Sequence, residues 1–255
     1  MPIILTLARF SLLEAIRTRV GLLALALLGS GLLVAWLTGQ VAITETREIR
    51  AVLTASFFRF AAVFVITVFV VSAQAREAAD KSLDLLLSLP APRSAYYLGK
   101  LVGYLGAAWL LALMFGLPML ALAPFQSLIA WTVSLGLELS IVVAASLFFV
   151  TILTQVPAAL AAVSGFYLLS RSMSALRLIG GSPLIDDGSI TPMAISRLLD
   201  AIAALLPRLD LFTQSAWLAE PQASWGLLAS VAAQSLIYVF LLSLAGLIDF
   251  QRKNF

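Results

Sequence analysis

Long apolar runs without charged side chains dominate the pattern of this chain. Residues 20–41, 60–74 and 222–248 carry no charge, and between residues 101 and 170 the only charged side chain is Glu138. A helix needs roughly 20 apolar residues to cross the hydrocarbon core of a bilayer. The runs therefore predict membrane-spanning helices rather than the core of a soluble domain.

The lengths of these runs predict the number of crossings. The second run reaches full length when it is extended back past Arg59 to residue 52. The run from 101 to 170 is long enough for three crossings, and proline-containing breaks at 124–127 and 154–157 divide it. The sequence thus predicts an all-α polytopic membrane protein with six transmembrane helices in a single domain, 1–255. An even number of crossings places both termini on one side.

Basic residues set the expected orientation. Nine of the 16 Lys and Arg residues, including all three Lys, lie in the N-terminal segment, around the connection between the second and third spans, and in the C-terminal tail. Cytoplasmic segments of membrane proteins carry an excess of Lys and Arg. Both termini are therefore expected in the cytoplasm.

Residues 1–19 precede the first span and have an amphipathic helical pattern. A basic patch before an apolar run is also typical of a signal peptide, but this run is longer than a signal-peptide core and no small-residue cleavage site follows it. We expect a helix that lies in the membrane interface. The alternative is a helix that only extends the first span into the cytoplasm. The apolar face is expected to contain Ile4, Leu5, Ala8, Leu12 and Ile16.

The segment 76–93, between the second and third spans, contains a short charged helix. Leucines cover most of this helix, and Pro90 and Pro92 end it because each lacks an N–H. The helix is too short to cross, so it is expected on the cytoplasmic side, with its charged stripe facing either a partner or solvent alone. At helical spacing, the stripe contains Glu77, Asp80, Lys81, Asp84 and Ser88.

From Glu77 the sequence reads EAADKSLDLLLSLPAPR, and it continues to LGKL at 98–101. It resembles the segment between the second and third spans in permease subunits of type 2, export-class ATP-binding-cassette (ABC) transporters. Six spans, an amphipathic N-terminal helix, a long outer segment and a short basic tail are similar too. Lys81-Ser82 replace the usual Gly-Thr, which favours a continuous helix over a tight bend. The matching residues are Glu77, Asp80, Ser82, Asp84, Leu86, Pro90, Arg93, Gly99 and Lys100.

The resemblance implies a transport subunit in the bacterial cytoplasmic (inner) membrane whose cytoplasmic helix docks on a separate ABC ATPase subunit. Two ATPase copies are expected, with a homodimer of this chain or a heterodimer with a related permease. The chain lacks the P-loop pattern Gly-x4-Gly-Lys-Ser/Thr. We therefore expect no cofactor in this chain, and ATP and Mg in the partner subunit. The expected coupling residues are Glu77, Asp80, Lys81, Ser82, Asp84, Leu86, Pro90 and Arg93.

Composition narrows the chemistry further. Hydrophobic residues make up 62% of the chain and charged residues 11%, and the mean hydropathy is +1.04, which excludes an ordinary soluble domain. Cys and His are absent, so thiol nucleophiles, Ser-His triads and the usual zinc sites are excluded. No catalytic residue and no metal site are expected, and an intramembrane enzyme is the least favoured hypothesis. The net charge of +3 is better explained by topology than by nucleic-acid binding.

Glu138 is the only ionisable side chain inside the three middle spans. A charge at the bilayer centre costs about 2.5–3.5 kcal/mol on insertion scales, so such a residue marks a pathway, a proton relay or a specific partner. Arg59 and Arg171 are candidate partners in other spans. Two interpretations stay open: a structural pair or neutral acid, and a residue lining the translocation route. The alternative function is a proton-coupled secondary carrier that uses Glu138, although no inverted repeat is visible.

Small residues form a ridge where the third span begins. Gly99, Gly103 and Gly106, next to Lys100, allow close backbone contact with another helix. Packing within the chain is favoured over a dimer interface.

The segment 172–224, between the fifth and sixth spans, is expected on the outer side. Its first part is rich in turn residues, and Pro192 opens a helix predicted to end at Leu206. This helix is too short to cross, so we expect it to be re-entrant or to lie in the interface. The adjacent Asp186 and Asp187 are interpreted as a solvated turn.

Overall fold

The computed structural model shows an all-helical, multi-pass architecture. Among the residues described, every regular element is a helix, and six helices are long and apolar enough to cross a membrane. The predicted fold class and number of spans are confirmed. The residues that the structure describes are 2–41, 46–80, 92–153, 155–180, 197, 200–202, 205–214, 216–219 and 225–252.

Within the described ranges seven long helices form the bundle, and α2 to α7 are the six that are long and apolar enough to cross a membrane. Short 3₁₀ turns follow α4 at Leu117–Ala121 and precede α7 at Leu209–Leu211. The helices are α1 Pro2–Arg17, α2 Arg19–Val41, α3 Thr46–Ala79, α4 Arg93–Gly116, α5 Phe125–Ile152, α6 Val156–Gly180 and α7 Trp225–Arg252.

Prolines define two of the helix starts. Pro92 and Pro124 precede α4 and α5, and both have extended backbone, with ψ of 138° and 145°. The proline ring fixes φ and disfavours helix in the preceding residue, so the chain can turn there between spans. The predicted break at 124–127 is therefore located at the proline itself.

The core lies around α3 and α5. In each of these spans 72% of the most apolar stretch is buried inside the protein, against 17% in α2 and 22% in α7. Helix α5 packs against α3, α4, α6 and α7. A charged residue on α5 is thus surrounded by protein, whereas α2 and α7 present most of their apolar surface outward.

Helix α1 packs along α4, and a break at Thr18 separates it from α2. Its buried positions include Ala8 and Ser11, whereas Leu5 and Ile16 are 63% and 62% exposed. The predicted apolar face is therefore only partly the face that packs on the protein, and its position in the membrane interface stays a prediction. Because α1 is apolar on more than one side, its pattern does not fix which side packs, and the glycine ridge of α4 selects the side with the smaller residues.

Parts of two predicted helices lie outside the described residues. The helix predicted from Glu77 to Pro90 begins within α3, which runs to Ala79, and positions 81–91 are not described. The helix predicted over 192–206 is described only at 197, 200–202 and 205–206. The Asp186-Asp187 turn is outside the described residues altogether.

Candidate functional site

A buried polar cluster surrounds Glu138 near the middle of α5. Glu138 has no exposed surface. Its carboxylate accepts hydrogen bonds from the Tyr167 hydroxyl at 3.0 Å and from the Thr213 hydroxyl. Arg171 Nη1 lies 3.6 Å from Glu138 Oε1. Of the two candidate partners in the sequence, Arg171 therefore forms the direct ion pair.

Thr213 connects this cluster to the chain between α6 and α7. Its φ is +43°, a left-handed conformation that is rare for a β-branched residue. All three of its polar groups are bonded: the N–H donates to Ser134 Oγ at 2.9 Å, the hydroxyl donates to Glu138, and the carbonyl accepts from Arg59 Nη1 at 3.1 Å. Such a conformation persists only when the surroundings hold it. The segment around Thr213 is therefore anchored to α3 and α5.

The two arginines hold the same segment from two sides. Arg59, on α3, is 8% exposed and reaches the cluster through the Thr213 carbonyl. Arg171, on α6, also donates to the carbonyls of Leu209 and of Phe212, the latter at 2.9 Å. The guanidinium of Arg59 lies 4.9 Å from the centre of the Phe60 ring, a cation–π geometry. One buried cation, Arg59, and one partly buried cation, Arg171, thus face one carboxylate and three carbonyl groups.

This arrangement favours a structural role for Glu138. Both carboxylate oxygens are hydrogen-bonded within the protein, and the Arg171 guanidinium lies beside them. A proton relay exchanges protons with water, and Glu138 has no surface open to water in this conformation. The geometry therefore supports the buried pair more than a residue lining an open route.

Three members of the cluster were not identified from the sequence: Ser134, Tyr167 and Thr213. Tyr167 and Arg171 are four residues apart on α6, and Ser134 and Glu138 are four apart on α5. Polar residues at this spacing share one face of a helix, so this signal was present in otherwise apolar spans. Thr213 carries no such signal because it lies outside the long helices.

A second polar cluster lies where α3 ends and α4 begins. Glu77, in the last turn of α3, forms an ion pair with Lys100 and accepts a hydrogen bond from the Tyr96 hydroxyl at 2.6 Å. The Lys100 side chain is 1% exposed. Glu77 was expected on the partner-facing stripe; it lies instead in a contact within the chain. This pair could not be predicted from helical spacing, because 23 positions separate the two residues.

This second cluster extends to α1. Arg76 Nη2 lies 3.1 Å from Glu14 Oε1, and Gln74 Nε2 donates to the Tyr96 hydroxyl at 3.2 Å. Burial raises the pKa of the Glu14 carboxyl above its ordinary value, because lost hydration outweighs the attraction of Lys100. The contacts join α1, α3 and α4 on either side of the segment 81–91.

Of the remaining predicted coupling residues, the structure describes only Asp80 and Arg93. Asp80 is exposed and directly follows α3. Arg93 begins α4, with Nη1 3.5 Å from the carbonyl oxygen of Gln251 on α7. The others lie outside the described residues: Lys81, Ser82, Asp84, Leu86 and Pro90.

The glycine ridge of α4 contacts α1. A Cβ added at Gly103 would lie 2.8 Å from the carbonyl oxygen of Ala8 and 2.7 Å from Ser11 Cβ. At Gly99 it would lie 2.8 Å from a Leu7 side-chain atom, and at Gly106 the closest atom is 3.3 Å away. The two helix backbones therefore approach closely, and Gly103 is the tightest position because a backbone atom is in the way.

Gly103→Ala is expected to lower the free energy of unfolding by about 1–3 kcal/mol, because α1 must move away from α4 to admit the methyl group. Gly29→Ala is the matched control, since nothing lies within 4 Å of its added Cβ. Thermal unfolding of the two variants in detergent tests the difference. Equal melting temperatures would contradict the close contact.

The chain was also compared with known proteins. No protein-family model matches it, and a search of curated proteins finds no match either.

Proposed function

We propose that this chain is the membrane permease subunit of an ATP-driven exporter of the type 2 ABC class. Separate ATPase subunits bind ATP and Mg and drive it, and two permease chains form the pathway. The observation that carries the proposal is the resemblance of the sequence from Glu77 to Leu101 to the coupling segment of that class. The polar cluster of Glu77 and Lys100, which joins the end of α3 to the start of α4, supports it.

The cluster suits a coupling role because it ties the ends of two spans together. Ion pairs in a low-dielectric surrounding resist separation. A displacement of the segment 81–91 is therefore passed to both α3 and α4. The Arg76–Glu14 pair and the glycine ridge pass the same displacement to α1.

The topology follows from the proposal and from the distribution of Lys and Arg. Helix α1 lies in the inner interface, the segment 76–93 docks on the ATPase in the cytoplasm, and 172–224 lies outside. Both termini are cytoplasmic, in a bacterial inner membrane. The Glu138 cluster then anchors part of the outer segment to the spans and keeps that side closed at rest.

The proton-coupled carrier is less favoured. A carrier of that kind needs Glu138 to meet water on each side in turn, whereas both its oxygens are bonded within the protein. The permease interpretation requires no titration of this residue.

Reversing the charge of the coupling segment tests the proposal. Asp80→Lys with Asp84→Lys is expected to abolish co-purification of the ATPase subunit, because the docking stripe changes sign. Glu77 is left unchanged, since it pairs with Lys100 inside the chain. Pull-down from membranes that contain both subunits measures the loss. Unchanged co-purification would contradict the docking role.

Two controls separate docking from misfolding and from wrong topology. Glu48→Lys with Asp200→Lys reverses the same charge on the opposite predicted side and is expected to leave co-purification intact. Because the chain has no cysteine, Ser88→Cys provides a label site without background. Membrane-impermeant thiol reagent is expected to reach it only from the cytoplasmic side. Labelling from outside would exclude the proposed orientation.

A further inference from the structure

A cavity of about 560 Å³ lies between the α1–α2 junction and the spans α3 and α4. This volume is in the range of roughly 300–1,000 Å³ that small-molecule sites occupy. The body of the cavity is lined only by apolar side chains and a glycine, among them Ala24, Val65, Phe69, Ala107 and Leu111. Its polar lining residues are Arg17, Thr18 and Arg19, which are consecutive at the junction of α1 and α2.

The depth of the cavity restricts what can fill it. Its lining residues on α2, α3 and α4 all belong to helices that are long and apolar enough to span the membrane. The cavity body is therefore level with the hydrocarbon of the bilayer. Water is not stable in an apolar cavity without hydrogen-bonding partners. A hydrocarbon chain is the ligand that this part accommodates.

The residues at the mouth of the cavity favour a ligand with a negative charge. Arg17 ends α1 and Arg19 begins the first span, and both side chains are exposed. In the part of the chain that the structure describes, neither guanidinium is paired with an acid; the nearby Glu14 pairs with Arg76. Arginines at the end of a span extend toward the headgroup region. Two guanidinium groups there match a phosphate.

We propose that this cavity binds an anionic phospholipid, with one acyl chain between α2, α3 and α4 and the phosphate between Arg17 and Arg19. The lipid would occupy the angle between α1 and α2 and fix it. The proposal does not depend on the transport function, so it can fail or hold independently of the permease assignment.

Lipid retention tests the headgroup part. The full-length protein is reconstituted in phosphatidylcholine with a minor fraction of phosphatidylglycerol and extracted in mild detergent, and native mass spectrometry counts retained lipids of each class. Phosphatidylglycerol is expected to be enriched over its bulk fraction. Arg17→Gln with Arg19→Gln is expected to lower that enrichment roughly five- to twentyfold, since each arginine near the membrane surface favours anionic lipid about fivefold.

A matched variant controls for overall charge. Arg9→Gln with Arg252→Gln removes two exposed arginines outside the cavity lining and is expected to retain phosphatidylglycerol as the unaltered protein does. Equal enrichment in both double variants would overturn the proposal. So would retention of phosphatidylcholine and phosphatidylglycerol in their bulk ratio by the unaltered protein.

A cavity-filling variant tests the acyl-chain part. Leu110 lines the cavity and is 46% exposed, so Leu110→Trp adds bulk there without a buried clash. This variant is expected to lose retained lipid of both classes while keeping its melting temperature in detergent. Unchanged lipid retention would show that the cavity is empty or is filled by protein, and would overturn the proposal.

Discussion

Glu138→Ala is expected to lower the free energy of unfolding by about 3–5 kcal/mol, the usual loss when one partner of a buried ion pair is removed. The substitution leaves Arg171 without its carboxylate, and it removes the acceptor for the hydroxyls of Tyr167 and Thr213. Unfolding of the purified protein in mixed micelles by increasing denaturing detergent measures the change.

Two further variants serve as the control and as the intermediate case for this result. Ser140→Ala removes another buried hydroxyl of α5, one that bonds only within its own helix, and it is expected to change stability by less than about 1 kcal/mol. Glu138→Gln keeps the shape and one acceptor but loses the charge, so it is expected to fall between the two. A Glu138→Ala protein as stable as the Ser140→Ala protein would contradict the buried pair.

The same residue distinguishes the two functional hypotheses. A structural pair predicts that Glu138→Gln leaves the pH dependence of transport in vesicles unchanged. A proton relay predicts a changed pH profile, because glutamine cannot titrate. The comparison requires only that the variant remain folded, which the detergent titration establishes.

Lys100→Met is expected to destabilise the protein by about 3–5 kcal/mol, because it removes one partner of the buried ion pair in the second polar cluster. Lys100 is 1% exposed, and its removal takes the cation away from Glu77, whose side chain is 14% exposed and which keeps its hydrogen bond from Tyr96. Adding Glu77→Gln to Lys100→Met is expected to restore much of the stability, because no unpaired charge remains. Unfolding of both single variants and of the double variant gives the coupling energy directly.

Arg76→Gln is the matched control for this pair. Arg76 also pairs with an acid of the same cluster, but its side chain is 54% exposed. Exposed ion pairs contribute about 0–1 kcal/mol, so this variant is expected to be nearly neutral. If Lys100→Met were as mild as Arg76→Gln, the pair between α3 and α4 would not be the firm connection that the coupling proposal needs.

The number of spans could be predicted from the sequence because hydrocarbon imposes a length requirement on each crossing. Runs such as 20–41 satisfy that requirement without knowledge of any neighbour. Pro124 likewise fixes a break through its own ring. Features that a residue determines locally were therefore accessible.

Features that depend on how helices face one another could not be predicted from the sequence. Arg171 was one of two candidate partners of Glu138, and only packing shows that it makes the direct pair while Arg59 reaches the carbonyl of Thr213. Glu77 fits an exposed stripe by spacing, yet it contacts Lys100 because α3 continues beyond its apolar run to Ala79 and lies beside the start of α4. Helical periodicity gives the angle of a side chain around its own axis, not the neighbour at that angle.

The left-handed backbone of Thr213 affects how the segment around it is released from α3 and α5. A residue in such a conformation stores about 1–3 kcal/mol, which the bonds to α3 and α5 hold in place. Once those bonds break, nothing holds the residue in this conformation, and forming the contacts again requires the same free energy to be supplied. Release of the segment around Thr213 from α3 and α5 would therefore be favoured by the relaxation of this one residue.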